Sequence, residues 1–149
     1  MNHKTALIQG DQLIVVLKGE LLQKATPEAV NYMLVVDWLP AGFEIESGRF
    51  GSPLESQGEL GNKPLNPKMP PKYPWDDLTK TLTTEARDDR FIAALKLTEE
   101  SRTFTLAYRV RAVTPGAYRY SGLHVEDMFI PTIVATTGAE TIEVKGIAK

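Results

Sequence analysis

The chain has 149 residues, enough for one domain with a substantial hydrophobic core. A net charge of -2 favours neither a nucleic-acid partner nor an anionic membrane surface, and no apolar run is long enough for a membrane-spanning helix. The absence of cysteine excludes disulfides, thiolate metal sites, a cysteine nucleophile and a thioester formed within this chain.

The N-terminal part of the chain predicts three strands. Residues 13–17 are a short apolar run rich in β-branched side chains, which favours a buried strand. Residues 30–39 favour a central strand, because both of their faces are partly apolar. One of these faces carries Val30, Tyr32, Leu34, Val36 and Trp38. A turn at Pro40 and Gly42 then leads to a short strand over residues 43–47.

Residues 48–85 differ in composition from the rest. They contain six prolines together with several glycines and lysines, which predicts a long surface excursion. A loop of this length inside a compact domain often has a function. One short helix is expected within it, from about Pro74 to Leu82, with Asp76 and Asp77 at its positive N-terminus.

Two runs with a period of two predict the principal strands, over residues 91–97 and 103–113. The apolar face of the second run carries Phe104, Leu106, Tyr108, Val110 and Ala112. Because the two runs share their period and are joined by a short polar segment, they are expected to pair as an antiparallel hairpin.

The C-terminal part continues the pattern. A turn at Pro115 and Gly116 leads to a short aromatic strand, and closing strands are expected over residues 131–134 and 141–144. Seven to nine short strands separated by turn signals predict an all-β fold. The architecture expected is an antiparallel β-sandwich with one long proline-rich insertion and one short helix.

Candidate catalytic groups are few. His3 and His124 are the two histidines and do not stand at a metal-ligand spacing, so His124 is interpreted as a structural or surface residue. Adjacent acids such as Glu126 and Asp127 point to opposite faces of a strand and form no carboxylate dyad. We therefore expect no enzyme activity, no metal and no cofactor; a catalytic function would require a dyad assembled from distant acids.

Three large apolar residues, Met128, Phe129 and Ile130, stand between Asp127 and Pro131. They fit a place in the core. They equally fit a loop that projects from the domain and covers something on a neighbour, because methionine and aromatic side chains are common in interfaces.

Four blocks of the sequence resemble the C-terminal domain of bacterial alpha-2-macroglobulins. They are LVVDWLPAGFE (34–44), RDDRFIA (87–93), YRVRAVTPG (108–116) and VEDMFIP (125–131). The resemblance runs from about residue 9 to residue 144, with residues 48–85 unmatched. It implies that residues 1–149 are a single macroglobulin-like domain and a fragment of a larger protein.

This resemblance implies a role in a periplasmic protease trap anchored to the inner membrane as a lipoprotein. In many members a protease cleaves a bait region, and a Cys-Gln thioester on a neighbouring domain then acylates the captured protease. Met128 and Phe129 match a Met-Tyr pair that keeps water from the thioester, with Pro131 stiffening the segment. Phe129 departs from the family's tyrosine, so water exclusion is retained but a hydroxyl hydrogen bond is lost.

An alternative is a protein- or glycan-binding module. Tyr73 and Trp75 lie in the proline-rich excursion, and loop aromatics can stack on sugars or anchor a protein partner. Such a module would dock the parent protein to a periplasmic or cell-wall synthesis partner, which is compatible with the first interpretation.

Overall fold

A computed structural model describes residues 6–22, 29–46 and 78–148 of the chain. Within these ranges the fold contains eleven strands and no helix, so no helix there is long or apolar enough to cross a membrane. The all-β fold predicted from the sequence is confirmed. The strands are β1 (Leu7–Ile8), β2 (Gln12–Glu20), β3 (Val30–Trp38), β4 (Phe43–Ile45), β5 (Thr83–Ala86), β6 (Arg90–Thr98), β7 (Thr103–Ala112), β8 (Gly116–Tyr120), β9 (Leu123–Asp127), β10 (Val134–Thr136) and β11 (Glu140–Lys145).

These strands form three sheets. A five-stranded sheet has the order β10-β9-β3-β6-β5, a three-stranded sheet has the order β2-β7-β4, and a second three-stranded sheet has the order β1-β11-β8. Every pairing is antiparallel except that of β1 with β11. The long central strand β3 pairs with β6 on one side and with β9 on the other.

The hydrophobic core lies between the five-stranded sheet and the β2-β7-β4 sheet. The predicted apolar face of β7 is buried from Phe104 to Ala112, and the alternating residues of β6 from Phe91 to Leu97 are buried opposite it. The rings of Phe91 and Tyr108 stack across the interior with centroids 4.4 Å apart. Burial of so many side chains of this size supplies the main driving force for folding.

The prediction that residues 91–97 and 103–113 pair as an antiparallel hairpin is wrong. Strand β6 pairs with β3 and β5, whereas β7 pairs with β2 and β4, so the chain crosses from one sheet to the other between them. Two strands with the same apolar period can lie edge to edge or face to face across a core. Here the second arrangement buries both apolar faces at once.

The buried face of β3 is also opposite to the face singled out from the sequence. Asn31, Met33, Val35 and Asp37 are buried, while Tyr32 and Trp38 are exposed on the outer face of the five-stranded sheet. Since apolar residues occupy both faces of β3, its period does not by itself reveal which face turns inward.

Short strands explain the remaining differences. The number of strands exceeds the expected seven to nine because β1, β5 and β10 have only two to four residues and carry no clear alternation. Residues 83–85, expected in the excursion over residues 48–85, belong to β5 and pair with β6. The excursion up to residue 77 lies outside the described residues and stays a prediction. Residues 78–82 are not helical, and the first part of the expected helix lies outside the described residues.

Candidate functional site

The segment between β9 and β10 forms a closed loop at one end of the five-stranded sheet. We call residues 128–130 the Met128 loop. The Asp127 N–H donates to the Ile133 carbonyl at 2.9 Å, and the Ile133 N–H donates to the Ile130 carbonyl at 2.9 Å. The Met128 N–H donates to the carbonyl of Tyr32 on β3 at 2.8 Å. These bonds fasten the loop to its own strand and to the central strand of the sheet.

Asp127 anchors the loop from inside the domain. Its side chain is buried, with a relative exposure of 3%. One oxygen, Oδ1, accepts the N–H groups of Phe129 and Ile130 at 2.8 and 2.9 Å. The other, Oδ2, accepts the side-chain amide of Asn31 at 2.8 Å. Burial alone raises the pKa of Asp127, but the three hydrogen bonds outweigh it and lower that pKa below its usual value.

The apolar side chains of the Met128 loop point into solvent. Met128 is 42% exposed, Phe129 76% and Ile130 46%, so none of the three belongs to the core. The ring of Phe129 meets the exposed ring of Tyr32 edge-on, with centroids 5.8 Å apart and an interplanar angle of 82°. Pro131, which follows the loop, is exposed as well. The interpretation of these residues as core is therefore wrong, while their covering of a neighbour stays a prediction.

Further large apolar side chains are exposed beyond the loop. On the outer face of the sheet Tyr32 and Trp38 are exposed on β3, and Val134 is exposed at the edge strand β10. The guanidinium of Arg90 lies 4.3 Å above the ring of Trp38, an arrangement that favours a cation–π contact. Exposed apolar side chains therefore lie on the outer face of the sheet as well as in the Met128 loop.

A buried polar cluster that the sequence analysis did not single out lies on the inner face of β3. The carboxylate of Asp37 is 1% exposed and accepts the hydroxyls of Tyr108 at 2.5 Å and Tyr120 at 2.6 Å. Burial raises the pKa of Asp37 more than these two hydrogen bonds lower it. The pKa of each tyrosine is also raised, first by burial and then by Asp37. The cluster ties β3, β7 and β8 together.

Other candidate chemical groups do not assemble into a site. His124 lies on the outer face of the five-stranded sheet, where its Nε2 lies 3.2 Å from Oε2 of Glu126. The next residue, Asp127, is buried on the inner face. Within the described ranges, no group of three or more His, Asp or Glu side chains is placed to hold a metal ion. Tyr73 and Trp75 lie outside the described residues, so the partner-binding loop stays a prediction.

Comparisons with known proteins agree with one another. Residues 2–132 match the family model described as the bacterial alpha-2-macroglobulin MG10 domain. The chain is 34% identical over 137 residues to alpha-2-macroglobulin of Escherichia coli K12, which is 92% of this chain and 8% of that protein. It is 34% identical over 126 residues to alpha-2-macroglobulin of Xylella fastidiosa Temecula1, or 84% of this chain and 7% of that protein.

Solved structures show the same relationship. Native E. coli alpha-2-macroglobulin, from domain MG7 to the C-terminus, matches with a TM-score of 0.69 and 31% identity over 93% of this chain and 20% of that one. Trypsin-activated E. coli alpha-2-macroglobulin matches with a TM-score of 0.69 and 32% identity over 97% of this chain and 9% of that one. The chain therefore spans less than a tenth of the length of these full-length relatives.

Proposed function

The chain belongs to the bacterial alpha-2-macroglobulin family, and we propose that it is a non-catalytic domain that shields a reactive thioester on a neighbouring domain of its parent protein. Met128 and Phe129 supply the covering surface, and Pro131 stiffens the chain after them. The chain contains no cysteine, so the thioester belongs to another domain. In this proposal the parent is a protease trap of the periplasm, anchored to the inner membrane.

One observation carries the proposal: the Met128 loop is exposed and apolar, yet its backbone is fixed. Phe129 is 76% exposed in the isolated chain. Covering such an apolar side chain with a partner lowers the free energy of the complex, because apolar surface is removed from water. An activated acyl group survives only where water is excluded, and two large apolar side chains held over it can supply that exclusion. The phenyl ring of Phe129 excludes water without donating a hydrogen bond.

The relatives support the wider part of the proposal. E. coli alpha-2-macroglobulin has been solved in a native form, in a trypsin-activated form and after activation by porcine elastase. A domain contact that holds in the native form and is released after protease cleavage would connect the Met128 loop to trapping. Target proteases then reach this domain through the rest of the parent chain rather than through a site of its own.

The docking step is testable by methionine oxidation, with the isolated chain compared with the full-length parent. In the isolated chain Met128 is exposed and is expected to oxidise readily, whereas Met33 is 4% exposed and serves as a protected internal control. In the native parent Met128 is expected to become as resistant as Met33, and protease treatment should restore its oxidation. Equal oxidation of Met128 in the isolated chain and in the native parent would overturn the proposal.

A further inference from the structure

We infer that Asp127 is a positioning residue, which fixes the Met128 loop in its docking conformation before any neighbouring domain arrives. Asn31 is its support on the adjacent strand. The role rests on the proposed function, since the loop needs a fixed shape only if it docks. The contacts that define it lie entirely within the described residues.

The carboxylate of Asp127 has each of its oxygens engaged. Oδ1 accepts two successive backbone N–H groups, from the residues two and three positions ahead, which is the geometry of a turn held by its own first side chain. Oδ2 accepts the Asn31 amide from the neighbouring strand β3. Both Asp127 and Asn31 are buried, at 3% and 6% exposure, so water competes little for these bonds.

Two consecutive residues of β3 hold the loop from opposite faces of the sheet. Asn31 points inward and bonds the carboxylate, while Tyr32 points outward and meets the ring of Phe129. The backbone carbonyl of Tyr32 also accepts the Met128 N–H at 2.8 Å. The loop is therefore fixed by backbone and buried polar contacts that leave its apolar side chains free to be covered.

Such an arrangement has a consequence for docking. An unfixed loop must lose its backbone freedom when it binds, and each residue ordered in advance spares a factor of roughly ten in affinity. Asp127 reduces this loss, because it holds the backbone of Phe129 and Ile130 without covering their side chains.

Hydrogen exchange of the Phe129 and Ile130 amides, measured by NMR on the 149-residue chain, tests this role. Replacement Asp127→Ala removes both acceptor oxygens and with them all three hydrogen bonds. Both amides are then expected to exchange about tenfold faster or more, equivalent to about 1.4 kcal/mol. Asp127→Asn keeps an oxygen at Oδ1 and is expected to retain most of the protection. The amide of Leu95, in the buried strand β6, should be unchanged in both variants.

Glu126→Gln is the matched control. It removes the same charge one residue earlier, but the Glu126 side chain lies on the outer face and contacts His124 instead of the loop backbone. Its exchange rates should equal those of the unmodified chain. If Asp127→Ala fails to fold, Asn31→Ala provides a second variant, in which loss of one supporting bond should raise both rates several-fold.

Three results would overturn the role of Asp127: rapid exchange of both amides in the unmodified chain, unchanged rates in Asp127→Ala, or equal loss in Asp127→Asn and Asp127→Ala. The full-length parent separates this role from the proposed function. If Asp127→Ala frees the loop and methylamine consumes the thioester faster, both are supported. If the loop is freed and the thioester reacts at its normal rate, the fixed loop shape is not needed for shielding and the docking role of Asp127 is overturned. The shielding function is then judged separately, by the methylamine rate of the double variant Met128→Ala, Phe129→Ala in the same parent.

Discussion

Replacement Tyr108→Phe isolates the hydrogen bond at the centre of the buried polar cluster. The Tyr108 ring is 2% exposed and stacks on Phe91 at 4.4 Å, and a phenyl ring fills the same space. The substitution therefore removes one hydroxyl and leaves the carboxylate of Asp37 with the single hydroxyl of Tyr120. A buried hydrogen bond to a charged group contributes about 1.5–3 kcal/mol to the free energy of unfolding.

That free energy is measured by urea unfolding at pH 7, with circular dichroism as the signal that monitors unfolding. For a chain of this length the expected loss corresponds to a fall in Tm of about 3–12 °C. Tyr118→Phe is the control, because its exposed hydroxyl donates only to the carbonyls of Thr114 and Pro115 and makes no contact with a carboxylate. A Tyr108→Phe protein within about 0.5 kcal/mol of the unmodified chain would refute the reasoning, since that is the scatter expected of surface substitutions.

The loss in Tyr108→Phe should depend on pH in a defined direction. The pKa of Asp37 is raised in the folded chain, so the folded state takes up a proton at a higher pH than the unfolded state does. Lowering the pH from 7 toward the usual value of 3.8 therefore favours the protonated carboxyl, for which the missing hydroxyl matters less. The difference between variant and unmodified chain should shrink over that range and remain constant if Asp37 does not titrate there.

Two further predictions concern neighbouring residues. The pKa values of Tyr108 and Tyr120 are raised in the folded chain. Their contribution to the free energy of unfolding is therefore complete below the unfolded pKa of 10.0 and should be lost as the pH rises above that value. Urea unfolding midpoints measured from pH 8 to 11 test this, and midpoints that do not change with pH would contradict it. Gly42→Ala should destabilise the fold by about 1–3 kcal/mol, because a Cβ at Gly42 would lie 2.1 Å from the Tyr118 ring. Its effect should largely disappear when Tyr118 is also replaced by alanine, and equal costs in both backgrounds would argue against this contact.

Sequence periodicity predicted the parts of the fold in which one face of a strand is clearly apolar. Strand β7 is the best example, since its face from Phe104 to Ala112 is buried as expected. The same periodicity could not decide whether β6 and β7 lie edge to edge or face to face, because both arrangements bury the same side chains. For β3 the two faces were similarly apolar, and the buried one carries Asn31 and Asp37.

For the candidate site, too, the sequence pattern alone could not decide between two arrangements. The motif that contains Met128 and Phe129 was visible in the sequence, but three apolar residues fit a core as well as they fit a surface. The buried carboxylate of Asp127 holds the backbone of Phe129 and Ile130, and its donors also include Asn31, 96 residues earlier in the chain. No local pattern links two residues at that separation, so only the pairing of β3 with β9 reveals the contact.

The shielding function itself is tested most directly by the lifetime of the thioester in the full-length parent. The double variant Met128→Ala, Phe129→Ala should react with methylamine about tenfold faster or more, since burial of one phenylalanine alone is worth about 1.5–3 kcal/mol. Leu82→Ala is the matched control, because Leu82 is 56% exposed and precedes β5, the opposite edge strand of the same sheet. Faster reaction of the double variant with no change in the control is the result expected if the Met128 loop excludes water. Equal methylamine rates in all three proteins would contradict the shielding function.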